Sequence, residues 1–256
     1  MSRSLRAVNL GIDGRIALVT GASKGIGRGI AAALAAEGAR VAISSRSRER
    51  IEAAAAAIGA TPLVHDSGDL DATDALVEAV EGELGPIDIL VASTGGPPAG
   101  PDPLGFSREQ WEAAYRELVL TPLALIERVV PGMRERGFGR VLSVGSSSVR
   151  EPIPGLMLSN AHRPGLAGAL KTIAREVARD GVTVNSVHPG RIATDRIVSN
   201  FGSLEEAQAT AGAQVPAGRL GSVEEIAAVA AFLCSAPASY VTGTYVLVDG
   251  GLTQSA

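Results

Sequence analysis

Short apolar runs along this chain alternate with longer stretches in which apolar positions recur at three- and four-residue spacing. The runs fall at residues 16–20, 41–44, 62–65, 87–92, 140–144, 183–187 and 245–248. The early ones are almost continuously apolar, as strands covered on both faces must be. The intervening alanine-rich stretches are long enough for helices. This alternation predicts an α/β fold, a doubly wound and mostly parallel seven-stranded sheet with helices on both faces. Right-handed crossovers then set the ligand crevice at the carboxyl ends of the strands, where the strand order reverses.

Two connections depart from the alternation. Residues 95–105 open with five prolines or glycines in six positions, which predicts a rigid, turn-rich loop after the fourth strand. Residues 191–220 carry a short helical pattern at 204–214 between loops that contain Gly202, Pro216 and Gly218, and read as a substrate lid. No repeat or linker divides the chain, so residues 1–256 are expected to form a single domain.

Composition narrows the partners. The net charge is −4 and the basic residues are scattered, which argues against a nucleic-acid surface. The one cysteine, Cys234, allows no internal disulfide and fits a reducing compartment; its neighbours Phe232 and Leu233 predict a buried structural thiol. No apolar run reaches membrane-spanning length, and residues 1–9 lack the apolar core of a secretory leader. A soluble cytoplasmic protein with no membrane partner and no metal site is expected.

The chemistry begins where the first strand runs into Thr-Gly-Ala-Ser-Lys-Gly-Ile-Gly at residues 20–27. A backbone that brings its N–H groups to a pyrophosphate cannot carry Cβ atoms at the contacts, and the positive end of the next helix favours the anion. Gly21, Ser23, Lys24, Gly25, Ile26 and Gly27 are therefore the expected cradle of a dinucleotide, with Ile30 and Leu34 continuing the helix. A pocket selective for NAD places a carboxylate at the end of the second strand. This chain has Ser44, Ser45 and Arg46 there, and Lys24 in the loop, so NADP(H) is the preferred cofactor and NAD(H) the alternative. The opposing possibility is that Lys24 and Arg46 are solvated surface charges. Asp66 can accept from an adenine amino group beside the Ser67 N–H, or can cap a helix beginning near Asp69.

Five segments in one order, TGASKGIG, IDILVASTGG, GRVLSVGSSS, GVTVNSVHPGRIATDR and VTGTYVLVDGG, resemble the short-chain dehydrogenase/reductase family over residues 13–252. The likeness is greatest to the 3-oxoacyl-(acyl-carrier-protein) reductases. It implies a Rossmann fold, hydride exchange between nicotinamide and a carbonyl or alcohol, a small-molecule substrate such as a 3-oxoacyl thioester, and a homo-oligomer, tetramer or dimer. It also implies that Ser93, Gly95, Pro189, Gly190, Ile192 and Thr194 lie along the cofactor.

The family's Asn, Ser, Tyr and Lys tetrad transfers only in part. Its serine falls on Ser146, but the asparagine position holds Leu118, the tyrosine position Ser159 and the lysine position Arg163. Ala92-Ser93-Thr94-Gly95 stands where the family usually has Asn-Asn-Ala-Gly. In the family the phenol moves the proton and the lysine lowers its pKa while holding the nicotinamide ribose. A phenol titrates near about 10, whereas an aliphatic hydroxyl is a far weaker acid. Arg163 can hold ribose hydroxyls but stays protonated. The resemblance thus implies an oxidoreductase with a non-standard site. Ser146 would polarise the substrate oxygen and Arg163 orient the ribose, and the proton would come from Ser159 through a water relay or from His188. His188 has an alternative, local packing. His162 is read as a helix-partner contact, His65 as the end of a strand beside the adenine, and Tyr115 as a core or interface aromatic. Halohydrin dehalogenases keep the tyrosine and alter the glycine loop, the reverse of the pattern here. The competing function is a catalytically degenerate dinucleotide-binding protein, a sensor or assembly partner.

Overall fold

The strands are β1 Ile16–Val19, β2 Arg40–Ser45, β3 Thr61–Val64, β4 Ile89–Ala92, β5 Gly139–Val144, β6 Val182–Pro189 and β7 Tyr245–Val248. In the computed structural model, which describes residues 9–255, they form one parallel sheet in the order β3-β2-β1-β4-β5-β6-β7. The segment 1–9 considered for a leader lies almost wholly outside the described residues. The main helices are α1 Gly25–Ala36, α2 Arg48–Ile58, α3 Thr73–Glu83, α4 Arg108–Tyr115, α5 Thr121–Glu135, α6 Met157–Val177, α7 Asp195–Phe201, α8 Leu204–Gln214 and α9 Val223–Leu233. No helix among the described residues is long and apolar enough to cross a membrane.

Strand periodicity sorts the core into two layers. Ala17 and Val19 of β1 join Val41 and Ile43 of β2 and Val91 of β4 under α1, α2 and α9. Leu18, one residue out of step, faces the other way with Ala42 and Leu90, under α3, α5 and α6. Every residue of β1 and β4 is buried, whereas β3, at the sheet edge, alternates between partly buried and exposed positions. β3 thus departs from the expected run of strands covered on both faces.

On the first face α1 packs against α9 through Ile30 and Leu34, both fully buried, in the same cluster as Ile226 and Ala230. Gly29 permits the close approach, because a Cβ there would overlap Val223 at the start of α9. That start is fixed by a capping box, in which Ser222 and Glu225 exchange side-chain and backbone hydrogen bonds.

Most strand boundaries shift by a residue or two, and three departures from the expected elements are larger or have a visible cause. β4 begins at Ile89, because Asp88 is spent on bracing: its carboxylate accepts from Ile16 N at 3.3 Å and faces Arg15 at 3.5 Å. β6 continues through His188 and Pro189, paired with Leu247 and Val248. The 191–220 segment holds two helices: α7 is seven residues long and buries none of them fully, although Ile197 and Phe201 pack against Ala207, Ala211, Val215 and Leu220.

Strand order reverses between β2-β1 and β4, where the crevice is expected. Leu34→Ala should lower stability by about 2–5 kcal/mol, since the buried cavity cannot close against a helix pair already in contact. Urea unfolding of the variant beside wild type measures it.

Candidate active site

Beyond the carboxyl ends of β1, β4, β5 and β6 opens a cleft of about 1510 Å³. Ordinary ligand pockets hold roughly 300–1,000 Å³, so this one has room for a dinucleotide and a second molecule. Its floor is tied across the switch point: Thr20 Oγ1 donates to Ser93 O at 2.9 Å and accepts from Ser93 N at 3.1 Å.

The glycine loop rests on this tie. Gly21 and Gly25 adopt φ of 59° and 58°, a region that disfavours side chains. A Cβ at Gly27 would lie 2.6 Å from Gly21 O, so only glycine lets α1 start this close to β1. The N-terminus of α1 carries no side-chain cap. Its first N–H groups are left for a ligand, and the cradle fits a pyrophosphate.

Along the cleft stand Ser23, Lys24, Ile26, Ser45, Arg46, Ser67, Gly95, Pro189, Gly190, Ile192 and Thr194, all expected at a cofactor site. Asp66 does not line it: its Oδ1 accepts from Gly68 N at 2.9 Å in a tight turn. The turn ahead of α3 is held by Asp69, which accepts from Asp71 and Ala72 N–H groups, and α3 starts only at Thr73. The helix-cap role weighed for Asp66 is not seen, and its neighbours His65 and Ser67 both line the cleft. Lys24 pairs with Asp195 of α7 at 3.0 Å, tying the glycine loop to the 191–220 segment. Both groups are exposed, so the tie is worth at most about 1 kcal/mol. Glu117 also lines the cleft; burial raises its carboxyl pKa, and the nearby charge of Arg46 holds it down.

The candidate catalytic corner is built on α6. Ser159 and Arg163, one turn apart, meet: Arg163 Nε donates to Ser159 Oγ at 3.1 Å. Arg163 Nη1 donates to Val144 O at 3.1 Å, which ties the guanidinium to the end of β5. The Ser159 hydroxyl lies 3.2 Å from that of Ser148, whose N–H donates to Ser146 Oγ at 3.1 Å. Ser146, Ser148, Ser159 and Arg163 therefore form one polar chain, and all but Ser148 line the cleft. Burial, and secondarily the charge of Arg196, lowers the Arg163 pKa to about 10. It remains a cation at neutral pH. Leu118 is 1% exposed, inside a π-helical turn at Arg116–Leu120.

His188 does not reach the cleft. It is 1% exposed, its Nε2 lies 2.9 Å from Ser186 Oγ, and its ring stacks on Tyr245 at 5.4 Å. The Gly145 backbone covers it so closely that a Cβ there would lie 2.5 Å from its ring. Burial, then the charges of Arg163 and Arg150, lower its pKa to about 4. The proton-donor role expected for His188 is corrected to the local packing that was its alternative. His162 sits against Trp111 and Tyr115 instead of the cleft, its Nε2 3.2 Å from Trp111 O. His65 ends β3 at the cleft wall, with its pKa lowered by burial.

Four cleft or near-cleft groups go beyond the sequence expectations: Ser148, Glu117, Arg191 and Arg196. The two arginines have a sequence signal. They fall immediately beyond the carboxyl end of β6, in Pro-Gly-Arg-Ile-Ala-Thr-Asp-Arg, where crevice residues belong.

A family profile described as enoyl-(acyl carrier protein) reductase matches residues 21–253. The chain is 37% identical over 248 residues to 3-oxoacyl-(acyl-carrier-protein) reductase FabG of Haemophilus influenzae, covering 95% of this chain and 100% of that one. Among solved structures, L-sorbose reductase of Gluconobacter frateurii complexed with NADPH and L-sorbose is similar at TM-score 0.91 and 31% identity, covering 97% of this chain and 100% of that chain. YwfH, an NADPH-dependent reductase involved in bacilysin biosynthesis, is similar at TM-score 0.88 and 31% identity, covering 94% and 99%. The chain belongs to the short-chain dehydrogenase/reductase family, whose members among these relatives are oxidoreductases.

A neutral buried imidazole makes stability depend on pH. Its folded pKa of about 4 lies below the model-peptide value of 6.5, so the unfolded chain takes up the proton first as pH falls. Stability should then drop between those two values, by up to about 3 kcal/mol from this group. Denaturant unfolding at a series of pH values should show a shallower fall for His188→Gln.

Proposed function

We propose that this protein is an NADP(H)-dependent oxidoreductase of a carbonyl or alcohol, with a serine and arginine pair in place of the family's tyrosine and lysine. The observation that carries the proposal is the Ser159–Arg163 hydrogen bond, placed in a cleft whose glycine cradle is intact. The cradle at Gly21–Gly27 would hold the pyrophosphate, Ser45 and Arg46 a 2′-phosphate, and Arg163 the nicotinamide ribose. The bound cofactor supplies or accepts the hydride. The NADPH named for both solved relatives favours the phosphorylated form.

Each residue of the polar chain then has a task. Ser146 Oγ already accepts from Ser148 N, so its own proton is free to donate to the substrate oxygen. Ser159 Oγ accepts from the guanidinium, which stabilises negative charge on that oxygen when its proton leaves. An alkoxide formed by hydride addition to a ketone is about as basic as a serine alkoxide, so the transfer is close to balanced. Water from the open cleft would return the proton to Ser159, directly or relayed by the Ser148 hydroxyl, which takes up a proton as it gives one. Arg163 assists as a fixed charge and hydrogen-bond donor without itself losing a proton.

A second function, a dinucleotide-binding sensor without turnover, is favoured by one observation: Leu118 buries an apolar side chain where the family places its asparagine. Titration with NADPH and NADH, followed by assays on ketones, 3-oxoacyl thioesters and alcohols, separates the two. Tight NADPH binding with no turnover selects the sensor, and failure to bind either nucleotide removes both. For the enzyme, Ser159→Ala should lower kcat by about 10²- to 10⁴-fold and leave NADPH affinity intact. Arg46→Asp should weaken NADPH binding relative to NADH, measured by fluorescence titration.

A further inference from the structure

Three guanidinium groups line the end of the cleft away from Ser45 and Arg46: Arg163 from α6, Arg191 from the turn after β6, and Arg196 from α7. Among the described residues none of them forms an ion pair. The carboxylates that line the same cleft are engaged elsewhere. Asp195 holds Lys24, Glu151 accepts from the N–H groups of Gln254 and Ser255, and Glu117 lies by Arg46.

The guanidiniums are also poorly satisfied. Arg196 makes one long bond, Nη2 to Pro97 O at 3.3 Å, and lies flat over Gly96, where a Cβ would overlap it. Arg191 donates through Nη2 to Gln214 Oε1 and sits 5.2 Å from the Phe201 ring, while its Nη1 is buried without a partner. Arg163 spends Nε and Nη1 on Ser159 and Val144. Burial lowers the pKa of all three, and the charges of Arg163 and Arg196 act against each other. Guanidiniums with no ion pair and with N–H groups to spare are suited to receive an anion.

We propose that the substrate carries a carboxylate or phosphate, bound by Arg196 and Arg191 with Arg163 beside them, so that its carbonyl is presented to Ser146 and Ser159. This deepens the oxidoreductase proposal and rests on it for the identity of the reacting group. The dinucleotide's own phosphates belong to the glycine loop and the Arg46 end, whereas Arg191 shares its part of the cleft with Gln214, Leu252 and Thr253. Two oxygens on a planar anion match a guanidinium fork, and Gly96 leaves the space in which Arg196 can meet them.

The test uses probe pairs that differ in charge: 4-oxopentanoate against its methyl ester, and dihydroxyacetone phosphate against dihydroxyacetone. Each is titrated into the NADPH-loaded protein by calorimetry, and NADPH oxidation is followed separately by absorbance. In at least one pair the anion should bind tenfold or more tighter than its neutral partner, and that pair distinguishes carboxylate from phosphate. Arg196→Gln should erase the difference and leave NADPH affinity unchanged. Gly96→Ala, which keeps the charge but displaces the guanidinium, should weaken it too. Equal binding within both pairs, or discrimination that survives Arg196→Gln, overturns the proposal; so does an Arg196→Gln variant that loses NADPH affinity and keeps the discrimination. Anion discrimination without NADPH oxidation leaves this proposal standing and defeats the oxidoreductase one. Oxidation of NADPH by neutral carbonyls alone does the opposite.

Discussion

The cleft depends on how closely β1 and β4 can approach each other at their carboxyl ends. Thr20 and Ser93 exchange two hydrogen bonds across that point, linking groups 73 residues apart in sequence. Above them Gly21 and Gly27 remove the Cβ atoms that would hold α1 away from the sheet. The same lack of side chains leaves the first N–H groups of α1 open to an anion. One steric constraint therefore sets both the seating of α1 and the placement of the phosphate cradle. Further along α1, Gly29 repeats the device by admitting α9.

The catalytic corner obeys a different constraint, the helical repeat. Residues four apart on α6 face the same way, so a pair at 159 and 163 can meet over the cleft whatever its chemistry. Replacing phenol and ammonium by hydroxyl and guanidinium keeps a donor beside an acceptor and keeps one positive charge. What changes is acidity: a phenol can be drawn towards neutrality by a cation, and an aliphatic hydroxyl cannot. The hydrogen-bonded geometry of the pair is present here, and in the proposed reaction the driving force for proton transfer would come from the substrate's own alkoxide. The π-helical turn at Arg116–Leu120 shows a similar separation, since it persists with buried Leu118 in it.

Features set by local backbone rules are legible in the order of residues alone. The doubly wound sheet follows from alternating elements and crossover handedness, and the glycine loop from the space a Cβ would need. Features set by distant neighbours are not legible in this way. Lys24 meets Asp195 across 171 residues of sequence, and the Asp66 carboxylate accepts from Gly68 N instead of capping α3. The apolar run of β6 ends at Val187, which makes His188 look like a loop residue at the crevice. Pairing with β7 carries the strand on through Pro189, so His188 becomes a sheet residue stacked on Tyr245. α7 escapes detection because a seven-residue helix is too short to repeat an apolar period beyond the single turn from Ile197 to Phe201. Arg196 is legible as a crevice residue beyond β6, but not as a residue of a helix.

Charge explains why these two arginines, Arg191 and Arg196, matter to the cleft as a whole. At the glycine loop Lys24 is balanced by Asp195, and beyond β2 Arg46 lies near Glu117. At its other end, among the described residues, Arg163, Arg191 and Arg196 form no ion pair. Such an arrangement costs folding free energy, because burying like charges without partners is unfavourable. It persists without unfolding the site because α6 anchors Arg163 to β5 and Gly96 accommodates Arg196 from below. A molecule that brings negative charge into this end would relieve the repulsion on arrival. That relief favours occupation of the corner where the Ser159 hydroxyl and the guanidinium of Arg163 already stand in contact.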